Sequence, residues 1–133
     1  MKILIVDDNV ELASIIQMML EAEGYEVRKA QDGPEAYITY LGFKPDLVLT
    51  DLHMPEENGL ELMKHIRIHN PGVRTIYMSG DFGRYWGLLE EEEERYRVGV
   101  LEKPFSKDEL MSMLSKHFNE GVAGPLAKSR MGR

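Results

Sequence analysis

Asp7 and Asp8 close a short apolar run, Ile3-Leu4-Ile5-Val6, and Asp51 closes another, Leu47-Val48-Leu49-Thr50. Three carboxylates gathered in one place repel one another unless a divalent cation lies among them. Mg²⁺ suits such a site, since it takes a few carboxylate oxygens, a carbonyl and retained water. Asp51 is then the candidate nucleophile, because a carboxylate can attack phosphorus and form an acyl phosphate. Two further residues suit the charge of a transferring phosphoryl group. Ser79, before Gly80, offers a hydroxyl, and Lys103, before Pro104 and Phe105, offers an ammonium. Pro104 also restricts Lys103 to extended backbone, which helps to aim its side chain. Asp7-Asp8 taken alone is more often a turn and helix cap than a metal site; the ordered set of features is what specifies the chemistry.

For these side chains to meet, the apolar runs must be neighbouring parallel strands that end at one edge. Each run is short, rich in Val, Ile and Leu, and stops at a charge, as buried parallel strands do. In an open α/β sheet, ligands sit outside those carboxyl ends, where the strand order reverses. Between the strands, Leu12, Ile15, Ile16, Met19 and Leu20 recur at helical spacing, with Gly24 as the stop. Residues 25–30 predict a second strand. Asp32, Pro34 and Glu35 then predict a capped helix carrying Ala36, Tyr37, Tyr40 and Leu41, which ends at Lys44-Pro45.

A loop at 55–59 leads to a third helix over 60–68 with Met63 and Ile66 inward, followed by an Asn70-Pro71-Gly72 turn. Residues 73–78 and 98–101 predict the last two strands, and Ser106 caps a final helix with Leu110, Met113, Leu114 and Phe118. Five strand–helix units predict a doubly wound α/β fold, a parallel sheet with helices on both faces. Residues 1–118 are expected to form the domain. Residues 119–133, without periodicity, are expected to be a flexible C-terminal tail or the start of a linker.

The totals narrow the function. A chain of 133 residues is one domain's worth, and the absence of cysteine excludes disulfides, thiolate metal sites and a cysteine nucleophile, which agrees with a cytoplasmic address. No apolar stretch approaches a membrane span. A net charge of −7 argues against direct nucleic-acid binding, which needs a basic stripe.

The remaining motifs have plain readings. The five glutamates at 90–94 read as a solvated face that weakens a fourth helix rather than as a dock for a basic partner. Met18, Met19, Met54, Met63, Met78, Met111 and Met113 read mostly as core filling. Trp86 reads as packing helix four onto the sheet. His53, His65, His69 and His117 read as surface or loop residues without a shared metal-ligand spacing.

In this order the residues resemble the response-regulator receiver family of two-component phosphorelays, the chemotaxis type. Its pattern is an acidic pair after strand one, an acceptor Asp after strand three, a Ser or Thr after strand four and Lys-Pro after strand five. Met54-Pro55 and Asn58-Gly59 also fit, and the resemblance covers residues 1–118. It implies a strand order 2-1-3-4-5. It also implies that Asp51 accepts a phosphoryl group from the phosphohistidine of a sensor histidine kinase or phosphotransfer protein. Mg²⁺ (or Mn²⁺) is implied at Asp8, Asp51 and the His53 backbone carbonyl, with Asp7 acting partly through water, and Ser79 and Lys103 are implied to hold the phosphoryl group.

The family signals to a downstream protein through helix four, strand five and helix five, and catalyses only its own phosphorylation and dephosphorylation. It is not a metabolic enzyme. Two positions depart from the pattern or modulate it. Val100 stands where the family carries the aromatic partner of the Ser79 switch, and His53 and Asp81, two past Asp51 and Ser79, are positioned to tune hydrolysis. Two other readings fit the same residues: a non-phosphorylated interaction scaffold, favoured by Val100, and a phosphatase of the haloacid-dehalogenase type. The second would need an acid where His53 stands.

Overall fold

The computed structural model describes residues 1–118. The expectation of a tail or linker at 119–133 lies outside them. Among the described residues, strands and helices alternate: β1 (Lys2–Val6), α1 (Val10–Ala22), β2 (Glu26–Ala30), α2 (Gly33–Phe43), β3 (Leu47–Asp51), α3 (Gly59–His69), β4 (Arg74–Ser79), a 3₁₀ turn (Gly83–Tyr85), α4 (Trp86–Arg95), β5 (Val98–Glu102) and α5 (Lys107–Phe118). The strands form one sheet ordered β2-β1-β3-β4-β5, all pairs parallel. No described helix is long and apolar enough to cross a membrane.

Side chains alternate across the strands and divide the core in two. Ile3, Ile5, Leu47, Leu49, Ile76, Met78 and Leu101 pack against α1 and α5, while Leu4, Val6, Val48 and Tyr77 pack with residues of α2, α3 and α4. Capping sets the helix starts. Asp32 accepts from the Glu35 N–H at 2.8 Å, Asn58 and Glu61 form a reciprocal box, and Ser106 and Glu109 do the same at 3.0 and 2.9 Å. The αL residue Lys44 ends α2.

Several expectations need correction. Met18 is 70% exposed on α1, and Ile15 and Leu41 also face outward, because a helix covers the sheet with a narrower stripe than the apolar spacing suggested. Trp86 is 48% exposed: the 3₁₀ turn ahead of it rotates the start of α4 so that its ring rests on Phe82, at 5.2 Å, instead of on the sheet. The glutamate run is not uniformly solvated. Glu92 turns inward and accepts from both Tyr77 Oη and Arg67 Nη1 at 2.7 Å. His117 is buried on α5 beside Gly99 and not on the surface.

Candidate functional site

At the carboxyl edge of the sheet β1, β3, β4 and β5 deliver their last residues side by side. β1 and β3 are adjacent, so Asp7, Asp8 and Asp51 converge, each with a carboxylate oxygen within 4.8 Å of the others'. Asp7 and Asp51 are buried and Asp8 is exposed. Lys103 reaches in after β5, donating to Asp7 Oδ2 at 2.8 Å and lying 3.5 Å from Asp51 Oδ2. The Lys103–Pro104 peptide is cis, and the Lys103 N–H bonds the Ser79 carbonyl at 2.8 Å.

Burial chiefly raises the Asp51 pKa. The Lys103 ammonium lowers it, Asp7 raises it, the His53 N–H (3.3 Å from Oδ1) lowers it and Asp8 raises it. A carboxylate burdened by burial and by two like charges is a fit place for a divalent cation. The donor set is all oxygen, as Mg²⁺ and Mn²⁺ prefer. Behind the site, a Cβ on Gly59 would lie 2.5 Å from the Asp51 carbonyl oxygen, so only glycine lets α3 begin this close to the acceptor strand.

Ser79 ends β4, and its hydroxyl is occupied: it donates to the Asp81 carbonyl at 2.8 Å and accepts from the Asp81 N–H at 2.9 Å. The same carbonyl accepts from His53 Nε2 at 3.0 Å, so that nitrogen carries the proton in this contact. The His53 ring meets Tyr85 edge-on at 5.2 Å. Of the residues singled out from sequence, the structure thus joins Asp7, Asp8, Asp51 and Lys103 in one pocket, and Ser79, His53 and Asp81 in a loop beside it. Val100 lies apart on β5, half-buried and paired in register with Tyr77.

Arg67 and Tyr77 belong to no motif of the sequence, and nothing in the run 90–94 distinguishes Glu92 from its neighbours. A signal for Arg67 was present, since it follows Met63 by four on the inward stripe of α3, where a charge needs an acid partner.

Fold and pocket together define a class: a doubly wound α/β protein whose sheet edge gathers three carboxylates, an ammonium and a hydroxyl-bearing loop. Residues 3–115 match the family model for the response regulator receiver domain, and the chain belongs to that family, the receivers of two-component signalling. It is 31% identical to the sporulation initiation phosphotransferase F of Bacillus subtilis, over 87% of this chain and 92% of that protein. It is 36% identical to the transcriptional regulatory protein CpxR of Escherichia coli K12, over 85% of this chain but only 47% of that one. The chain therefore spans about half the length of such transcriptional relatives and nearly all of the phosphotransferase. The chemotaxis protein CheY4 of Vibrio cholerae has a similar structure, with a TM-score of 0.78 and 26% identity over 86% of this chain and 96% of that one.

Proposed function

We propose that the chain accepts a phosphoryl group on Asp51 from the phosphohistidine of a sensor histidine kinase or phosphotransfer protein, and signals through the resulting change of conformation. The observation that carries this reading is the setting of Asp51: a carboxylate 6% exposed, between Asp7 and Asp8 on one side and the Lys103 ammonium on the other. An Asp51 oxygen attacks phosphorus and forms the P–O bond. The P–N bond breaks, and its electron pair stays on the departing imidazole.

Lys103 supports that step by neutralising a phosphoryl oxygen, and Ser79 by donating its hydroxyl to another once it has left Asp81. Asp8, Asp51 and the His53 carbonyl would hold Mg²⁺ or Mn²⁺, with Asp7 acting partly through water. When bound, the cation neutralises charge on the transferring group and relieves the crowding of the carboxylates. Hydrolysis returns the switch, and His53 and Asp81, at the mouth of the pocket, set how water reaches the acyl phosphate. The chain turns over no other substrate. It acts in the cytoplasm on a downstream protein through the α4–β5–α5 face, without direct contact to nucleic acid or membrane, and residues 1–118 are the receiver unit.

Val100 favours a second reading, a scaffold that keeps the fold without phosphorylation. Incubation with Mg²⁺ and acetyl phosphate, read by intact mass, separates the two. The expected result is one added phosphoryl group on the parent and none on Asp51→Asn. Addition to both overturns the assignment of Asp51, and addition to neither, with acetyl phosphate or a phosphohistidine donor, establishes the scaffold.

A further inference from the structure

The four histidines share no common spacing, but two of them, His65 and His69, stand four residues apart on α3. Residues so spaced lie one above the other on a single helix face, with Cβ atoms about 5–6 Å apart. Both are exposed. Both rings also meet the same partner on α2: the Tyr37 ring lies edge-on to that of His65 at 6.3 Å and tilted to that of His69 at 5.6 Å. Two imidazoles are thus gathered around one phenol at the seam of α2 and α3, down the helix from the Asp51 pocket.

An oxygen already holds each ring at one nitrogen. Glu57 Oε2 lies 2.8 Å from His65 Nδ1, and Tyr37 Oη lies 2.6 Å from His69 Nε2. With the N–H on the held nitrogen in each ring, the lone pairs fall on His65 Nε2 and His69 Nδ1. A metal-binding histidine is arranged in this way, its second nitrogen oriented by a carboxylate or another oxygen. Glu61, one turn before His65 on the same face, is engaged by the Asn58 N–H in the helix cap, so the donors on this face are the two imidazoles.

We propose that His65 and His69 form a site for a divalent transition-metal ion of the nitrogen-preferring kind, Zn²⁺ or Cu²⁺. His65 Nε2 and His69 Nδ1 are its ligands, Glu57 and Tyr37 are positioning residues, and water completes the shell. Two imidazoles four apart on a helix can close on one cation held at about 2 Å from each nitrogen, the spacing that helical zinc motifs use. Imidazole suits Zn²⁺, Cu²⁺ and Ni²⁺, whereas Mg²⁺ stays with oxygen, so this site and the Asp7–Asp8–Asp51 cluster take cations of different chemistry. Glu57 lies in the loop between β3 and α3 and rests against Gly33, the first residue of α2. A cation on His65 therefore ties that loop, α2 and α3 together at one point. The site does not depend on the Asp51 reading.

The test is a Zn²⁺ titration of the full chain in excess Mg²⁺, followed by the imidazole nitrogen resonances, which report coordination ring by ring. The expected result is saturation at one Zn²⁺ on this face, with His65 Nε2 and His69 Nδ1 shifting together and His117 unmoved. His69→Gln, a change at an exposed position, should abolish the shift at His65. Glu57→Ala should weaken Zn²⁺ about tenfold, as loss of a group that orients a ligand does. In the metal-free chain it should also move the His65 proton away from Nδ1, a signature that a merely structural role would not change. Shifts confined to one ring, shifts at neither, or a His65 response that survives His69→Gln overturn the site. An unchanged His65 tautomer in Glu57→Ala overturns the positioning role of Glu57. None of these outcomes alters the assignment of Asp51.

Discussion

α3 and α4 cover the same face of the sheet and are held by opposite means. α3 opens with a reciprocal Asn58–Glu61 cap and buries Leu60, Leu62, Met63 and Ile66. α4 opens from a 3₁₀ turn with no side-chain cap and buries Leu89 alone, relying on one inward glutamate for the rest. Apolar packing holds a helix in place over a broad area, whereas a single polar cluster holds it at a point. Neighbouring helices on one sheet can therefore differ in mobility, and the sparsely packed one is free to move.

The largest effect is expected from the point of attachment. Glu92→Ala leaves Arg67 buried without its acid and should cost about 3–5 kcal/mol in urea unfolding, because removing one partner of a buried pair strands the other. A loss well below 1 kcal/mol would mean that water replaces the carboxylate and α4 is not anchored there. In α3, Met63→Ala should cost about 2–5 kcal/mol by opening a cavity under a fully buried side chain. Hydrogen exchange in that variant should speed up across α3 while α4, which shares few of its apolar contacts, changes little. Asn58→Ala should remove about 1 kcal/mol of the cap advantage that α4 lacks, again by urea unfolding.

The smallest expected effect is a slope with pH at the edge where both helices begin. Burial holds the Asp51 pKa above its ordinary value, so the folded chain binds this proton more tightly than the unfolded chain. Without metal, stability should then fall as pH rises from the ordinary carboxylate range through the folded pKa, and Asp51→Asn should remove that slope and melt higher than the parent at neutral pH. A parent that melts at or above the variant in metal-free buffer would contradict this sign.

The strand ends were readable from sequence because each apolar run stops at a polar or charged residue whose type announces its use. Asp32 and Ser106 were readable as caps for a similar reason. The α4 region resisted. Five consecutive glutamates carry no phase, so nothing in them marks Glu92 as the inward one. Its partners, Tyr77 and Arg67, lie 15 and 25 positions away on other elements. Trp86 was misplaced because a 3₁₀ turn, which leaves no periodicity in sequence, shifts where α4 begins. The occupation of Ser79 by Asp81 was likewise hidden, since it uses the Asp81 backbone and not its carboxylate.

The Lys103–Asp7 bond joins residues 96 positions apart. On a ribosome, the pocket cannot close until almost the whole domain has emerged, and a chain cut short before Lys103 lacks the ammonium that faces Asp51. Closure of the pocket is thereby tied to completion of the domain's synthesis, since its first and last parts meet only there.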